Sequence, residues 1–234
     1  MSEEIPHTLS EFEDGLKNVK ESVLVMASMA AVNLESAVKG VLDRNEDLCN
    51  KAIVDDTAVN HYERKIDEMG LEIIYRFNPV ATDLRIVASS MKIATNLERI
   101  ADEAENIGRR GKKMAKKEEV PEVLLIEPLA DQALSMLKEA AQAFSEGNVE
   151  LALGLYEQDQ ALDAAYKKTV KKLTGRMEED VANLKSYLNL IFISRCIERV
   201  GDHAQNIGED VVYINSGEDI RHVGPTDELL EDQG

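Results

Sequence analysis

Residues 96–108 read NLERIADEAENIG, and residues 196–208 read CIERVGDHAQNIG. The two stretches lie 100 residues apart and agree at seven of thirteen positions, where ordinary residue frequencies give about one. An in-register repeat of this kind marks a duplicated structural unit. The likeness continues upstream, where Asp83-Leu84-Arg85 lies opposite Asn183-Leu184-Lys185. In both copies the apolar residues fall at steps of four, three, four and three: Ile93, Leu97, Ile100, Ala104 and Ile107, then Ile193, Ile197, Val200, Ala204 and Ile207. That is the seam of a helix packed lengthwise along its neighbours in a bundle. Beside it run the small residues Ala101, Ala104 and Gly108, matched by Gly201, Ala204 and Gly208. A glycine inside a helix costs up to about 1 kcal/mol against alanine, so Gly201 implies that another backbone comes close.

Outward from this pair, apolar residues keep helical spacing almost throughout, and the five prolines sit near boundaries. A first helix is predicted from a capping box at Ser10-Glu11-Phe12-Glu13 to about Leu42. A second covers Asp47 to Arg76 and stops at Asn78-Pro79, because the residue before proline avoids the α region. A third runs from Thr82 to Gly108, followed by a basic connector of Arg109, Arg110, Lys112, Lys113, Lys116 and Lys117. A fourth extends from Pro121 to Ser145, and a fifth from the Gly147-Asn148 turn to Leu173. A break at Thr174-Gly175 precedes a sixth, from Glu179 to Tyr213. The expected organisation is all-α: a three-helix unit over residues 8–110, a connector over 111–121, a second three-helix unit over 122–215, and an acidic, mobile tail over 216–234.

Composition narrows the function. The chain has 234 residues and a net charge of −18. Nucleic acid and acidic membrane surfaces are therefore poor partners, since affinity for phosphate backbones comes from Lys and Arg. Cations and basic protein patches suit it better. Cys49 and Cys196 belong to no CxxC pair and read as reduced, helix-borne small hydrophobes of a cytoplasmic protein. The N-terminal stretch is acidic and unlike a signal peptide. No apolar run is expected to approach the roughly 20 residues needed to cross a bilayer.

The polar side of the repeated helices carries the chemistry. Glu98, Asp102 and Glu105 share one stripe, and Glu198, Asp202 and Glu209 share the equivalent one with Gln205 between. Like charges four apart weaken a helix by a few tenths of a kcal/mol, yet both copies keep the pair. The preceding helix of the second half offers Asp159 and Asp163; that of the first offers Asp56 and Asn60, continuing to Glu63 and Asp67. If these helices are antiparallel neighbours, carboxylate pairs face each other across a groove. Four converging carboxylates without lysine or arginine require cations. Oxygen ligands of this type suit Mg²⁺, Mn²⁺, Fe²⁺ or Fe³⁺, and Zn²⁺. A single ExxxD pair would mean only a solvated face; the duplication and the partner DxxxD argue for more. His203 and His61 sit one step off these stripes and are read as supporting or surface residues. Arg99 and Arg199 are read as structural ion-pair partners, either within a helix, as Arg99 with Glu103, or between helices or halves.

Residues 78–85, NPVATDLR, and 92–102, KIATNLERIAD, resemble the first-half signature of the PhoU family, and residues 197–207, IERVGDHAQNI, resemble its second-half signature. The resemblance spans residues 8 to 215 in the right order. It implies two three-helix bundles related by pseudo-twofold symmetry, with metal bound at paired E/D-xxx-D motifs. It also implies a cytoplasmic, often dimeric regulator acting between the ATPase of a phosphate ABC transporter and a phosphate-sensing histidine kinase. Carried over, one site is Asp159, Asp163, Glu198 and Asp202. The other is Asp56, Asn60, Glu98 and Asp102, where Asn60 replaces an aspartate and should weaken binding. Ala101 stands where the family motif commonly has glycine.

Two other classes compete. A ferritin-like metal-storage or carboxylate-bundle protein would place Glu-x-x-His pairs on core helices, and the sole match, Glu4 to His7, lies in the N-terminal segment. A metal-dependent hydrolase would need a nucleophile and a phosphate-cradling glycine motif, and neither pattern occurs.

Overall fold

The structure is a computed structural model that describes the backbone of residues 4–221 and the side chains of residues 10–221. Six long helices follow in order: α1 (Glu4–Leu42), α2 (Glu46–Phe77), α3 (Ala81–Ala115), α4 (Glu127–Glu146), α5 (Val149–Glu179) and α6 (Leu184–Ser216). Short 3-10 turns at Pro121–Ile126 and Val181–Asn183 lead into α4 and α6. No strand occurs among the described residues. The first three helices pack on one another, as do the last three, and α3 lies against α6 while α1 lies against α4. Buried residues of both bundles join in one core: Val23 and Ala27 of α1 meet Ile93 and Leu97 of α3, Phe144 of α4 and Ile207 of α6.

The duplication is visible in local chemistry. Asn45 caps α2 by accepting from the backbone N–H groups of Asp47 (2.9 Å) and Leu48 (3.1 Å). Asn148 caps α5 by accepting from Leu151 N–H at 3.0 Å. A Cβ on Gly108 would stand 2.9 Å from the Cys49 carbonyl oxygen, and one on Gly208 would stand 2.9 Å from the Ala152 carbonyl oxygen. Both glycines therefore mark where the second and third helices of a bundle touch backbone to side. Gly201 meets a side chain instead: a Cβ there would run into Leu162 Cδ2.

Pseudo-twofold symmetry appears in the contacts between α3 and α6. His203 Nδ1 lies 3.1 Å from Asn96 Oδ1; exchanging halves by 100 residues turns this pair into Cys196 with Glu103, which also touch. Lys92 and Asp210, 3.9 Å apart, become Phe192 and Arg110, whose guanidinium sits 4.0 Å from the ring centroid. The axis thus runs between α3 and α6.

Several boundaries differ from the sequence-based ones. α1 begins at Glu4, so Ser10 lies inside the helix and caps nothing. α3 continues to Ala115, so Arg109, Arg110, Lys112 and Lys113 belong to a helix rather than a linker. Met114 and Gly111 are buried there, the latter against Val41 and Cys49, and this packing carries the helix on. α5 passes through Thr174-Gly175 without a break, since Leu173 is buried and Thr174 returns its hydroxyl to the Val170 carbonyl. α6 starts later than Glu179, because Asp180 takes the Tyr187 hydroxyl and Asn183 and forces a tight turn. Ile220 is buried, so the chain stays packed for some residues past 216; the rest of the predicted tail, residues 222–234, lies outside the described residues.

The expectation about apolar runs is also corrected. α1 is long and apolar enough over Ser10–Leu42 to cross a membrane by length and composition. Half of its apolar window is buried inside the protein. Val19, Met26, Ala30 and Leu34 supply that buried face, as a central core helix requires.

Candidate functional site

The two predicted carboxylate stripes do face each other in pairs of helices. In the first half, Asp56 of α2 feels Asp102 and Glu105 of α3, and Glu98 of α3 feels Asp102, Glu63 and Asp56. Burial is the leading reason that both carboxyls are pushed above their usual range, with these neighbouring acids next. Asn60 donates its amide to Asp56 Oδ2 at 2.9 Å. Arg99 meets both Glu98 (3.3 Å) and Asp102 (3.1 Å), and Arg109 meets Glu105 at 2.6 Å. Two arginines of α3 thus neutralise part of this groove from its rim.

In the second half, Asp159 of α5 feels Asp202, Asp163 and Glu209, and burial plus these charges push it to about 6. Its Oδ1 lies 3.3 Å from where a Cβ on Gly201 would stand. The glycine therefore lets α5 bring Asp159 onto α6. Glu198 is pushed to about 7 by burial first and by Asp202 and Asp163 next, with Arg195 opposing. Asp202 is raised by burial and Asp163, against Arg195 and Arg199. The cations at hand are Lys167, 3.1 Å from Asp163, and Arg195, hydrogen-bonded to Glu198.

Four oxygens of the predicted residues are buried without a hydrogen-bond partner among the described residues: Asp56 Oδ1, Asn60 Oδ1, Glu98 Oε2 and Glu198 Oε2. All four can accept and none can donate while the carboxyls are ionised, which suits them to a cation; Arg99 Nε already lies 3.3 Å from Glu98 Oε2. As placed, however, no three His, Cys, Asp or Glu side chains among the described residues converge tightly enough to hold an ion. Each groove presents opposed pairs, and closing them on an ion requires carboxylate side chains to rotate toward each other. The donor set is hard oxygen throughout, which fits Mg²⁺, Mn²⁺ and iron.

The residues beside the stripes have definite partners. Arg199 crosses to α3 and pairs with the buried Glu103, whereas Arg99 stays within its own helix. The Arg99–Glu103 pairing considered from sequence does not form. His203 turns away from its carboxylate stripe to Asn96, and burial together with Arg199 and Arg99 lowers it to about 4. His61 is exposed and packs edge-on to Tyr62. Sequence reasoning missed Asp210, a buried carboxyl raised to about 6 mainly by burial and held beside Lys92. Its signal was a charged residue on the apolar side of the repeat.

Known proteins carry the same architecture. The family model for the PhoU domain matches residues 23–111 and 126–211. A "Phosphate-specific transport system accessory protein PhoU homolog" of Pseudomonas aeruginosa is 34% identical over 221 residues, covering 94% of this chain and 91% of that protein. The corresponding accessory protein of Escherichia coli is 34% identical, covering 93% of this chain and 90% of its own length. The crystal structure of PhoU from Pseudomonas aeruginosa superposes with a TM-score of 0.86 at 33% identity, over 88% of this chain and all of that one. A regulatory protein PhoU from Streptococcus pneumoniae matches with a TM-score of 0.82 at 22% identity, over 89% of this chain and 98% of its own, which shows the shared fold. With two domain matches in tandem and relatives of this similarity over most of its length, the chain belongs to the PhoU family.

Proposed function

We propose that this protein is a cytoplasmic regulator of phosphate uptake and phosphate-starvation signalling that binds metal ions in its two carboxylate grooves and acts through protein contacts rather than by catalysis. The names of its relatives, accessory proteins of the phosphate-specific transport system, support the phosphate role. The partners this reading assigns are the ATPase of the phosphate ABC transporter and a phosphate-sensing histidine kinase, with the chain itself a homodimer. Asp159, Asp163, Glu198 and Asp202 hold one ion, and Asp56, Asn60, Glu98 and Asp102 hold another. A bound cation neutralises the groove and ties α5 to α6, or α2 to α3, making bundle stability responsive to ion supply.

The observation that supports the metal reading is the opposition of partly buried acids across both grooves, Asp56 against Asp102 and Glu105 and Asp159 against Asp202. Elemental analysis of protein purified without a metal-affinity tag tests it. Wild-type protein is expected to carry manganese, iron, magnesium or zinc that Glu198→Ala/Asp202→Ala reduces by half or more. Equal metal content in the two would remove the reading. The phosphate role is tested by deleting the gene in its source and following a phosphate-starvation reporter, which should become active in phosphate-replete medium.

A further inference from the structure

The two halves differ on the outer side of the long third helix of each bundle. Val181, Leu184, Leu188 and Phe192 follow one another at steps of three, four and four and are 68%, 37%, 40% and 43% exposed. They form one apolar ridge along the 3-10 turn Val181–Asn183 and the start of α6. The equivalent positions of α3 hold Ala81, Leu84, Ala88 and Lys92. The fold therefore does not need an apolar ridge here, and exposing one costs about 25 cal/mol for each Å² of apolar surface left in water. A line of large exposed apolar residues, one of them aromatic, is characteristic of a protein-binding surface.

The rim of the ridge is basic, although the whole chain carries −18. Arg110 of α3 lies over the Phe192 ring and touches Asn189 at 3.4 Å. Lys113 stands one turn further along α3, and Lys185 is exposed on α6 beside Leu184 and Leu188. None of these three is in an ion pair with a described residue. About half of the other Lys and Arg side chains are paired, among them Lys51 with Asp55, Arg109 with Glu105, and Arg176 with Glu122 and Glu179. The ridge also starts from a held point, since Asp180 binds both Asn183 and the Tyr187 hydroxyl.

We propose that this ridge docks an acidic, amphipathic helix of a partner protein. From Val181 to Phe192 it spans about 17 Å, or three helical turns. That matches an apolar stripe at i, i+4 and i+7 on a partner helix. Acidic residues flanking the stripe would meet Arg110, Lys113 and Lys185. A second copy of the same surface is a poor occupant, because a twofold contact would set these cations against themselves. An anionic bilayer is opposed by the net charge of the chain. The proposal rests on the reading of the protein as a regulator acting through protein contacts, but it is independent of metal binding.

The test uses the full chain and a fluorescein-labelled 14-residue probe peptide with leucines on one helical face and glutamates on the other, read by anisotropy. Binding is expected for the wild type, with affinity falling as NaCl is raised. Phe192→Ser and Arg110→Glu should each weaken it at least tenfold, while Leu84→Ser, at the equivalent place in the first half, should leave it within twofold. All three sites are partly exposed, and unchanged thermal melting confirms that the fold is intact. No binding by the wild type, or binding indifferent to Phe192→Ser and Arg110→Glu, overturns the proposal. So does a tenfold gain on deleting residues 222–234, which would make the acidic Asp227–Asp232 segment the occupant. Loss of a dimer in Phe192→Ser would assign the ridge to a second copy. Loss of sedimentation with phosphatidylserine vesicles in that variant would assign it to a membrane. Either result overturns the proposal. Failure of the phosphate reporter test alone leaves peptide binding unaffected, so the two readings fail separately.

Discussion

The α2–α3 groove and the α5–α6 groove descend from one repeated pattern yet hold their charges differently. In the first, Asn60 stands where the second has Asp163, and its amide occupies Asp56 Oδ2. Arg99 and Arg109 cover Glu98, Asp102 and Glu105. In the second, Asp159 and Glu198 are raised to about 6 and about 7, and among the described residues only Lys167 and Arg195 pair with the acids facing them. One amide and differently aimed arginines divide the duplicate sites: in the first groove Asp56 takes the Asn60 amide and Arg99 reaches Glu98 and Asp102, whereas in the second Asp159 and Asp202 are in no ion pair among the described residues. The second therefore gains more from a cation.

The two bundles pack alike at one matched pair of glycines. Gly108 and Gly208 each stand against a backbone carbonyl of the neighbouring helix. Gly108→Val and Gly208→Val should each cost about 3 kcal/mol or more, by overpacking a contact that backbone cannot relieve. Chemical denaturation should find the two losses within about 1 kcal/mol of each other. If one variant is tolerated, the bundles are not packed equivalently.

The next largest effect lies at the arginines. Arg199→Ala strands the buried Glu103, and removing one partner of such a pair typically costs about 2 kcal/mol when the other partner is half exposed. Arg99→Ala removes only a rim pair and should cost less than about 1 kcal/mol. Equal losses would mean that Glu103 is not held across the halves.

Cation response sharpens the difference directly. Added Mn²⁺ should raise the melting temperature by a few degrees, and Glu198→Ala/Asp202→Ala should abolish more of that rise than Glu98→Ala/Asp102→Ala. Asn60→Asp should strengthen the first site about tenfold, since it supplies one more ligand charge. An unchanged affinity would show that the amide is not what separates the sites.

The smallest effect concerns pH. Without cations, Asp159 and Glu198 bind protons in the folded state at pH values where the unfolded chain has released them. Stability from these groups is present below about pH 4 and is lost as pH rises through about 6 and 7. Melting of metal-free protein should therefore decline modestly across that window, and Mn²⁺ should offset the decline. Asp159→Asn/Glu198→Gln should flatten it. A metal-free wild type with no such slope would contradict the raised carboxyls.

How much of this was legible beforehand differs by residue. The duplication and the Glu98/Asp102 and Glu198/Asp202 stripes follow from identities 100 residues apart and from helical periodicity, whereas Asp56 with Asn60 and Asp159 with Asp163 lie 103 residues apart and rest on their own four-residue step. The helix ends were less legible. Thr174-Gly175 resembles a stop, but the burial of Leu173 outweighs a local cost of about 1 kcal/mol for glycine. The basic run after Gly108 resembles a linker, but Gly111 and Met114 pack against α1 and α2.

That the chain is a duplicated helical protein with two acidic stripes can be read from residue order, since both properties depend on spacing within a helix. Which groups lie opposite those stripes was set by the packing of one helix on another. It placed Asn60 on Asp56, sent Arg199 to Glu103 while Arg99 stayed at home, and left Phe192 exposed beneath Arg110. Such partners belong to different helices, and their meeting depends on how the rods are rotated and staggered, which no periodicity within one rod encodes.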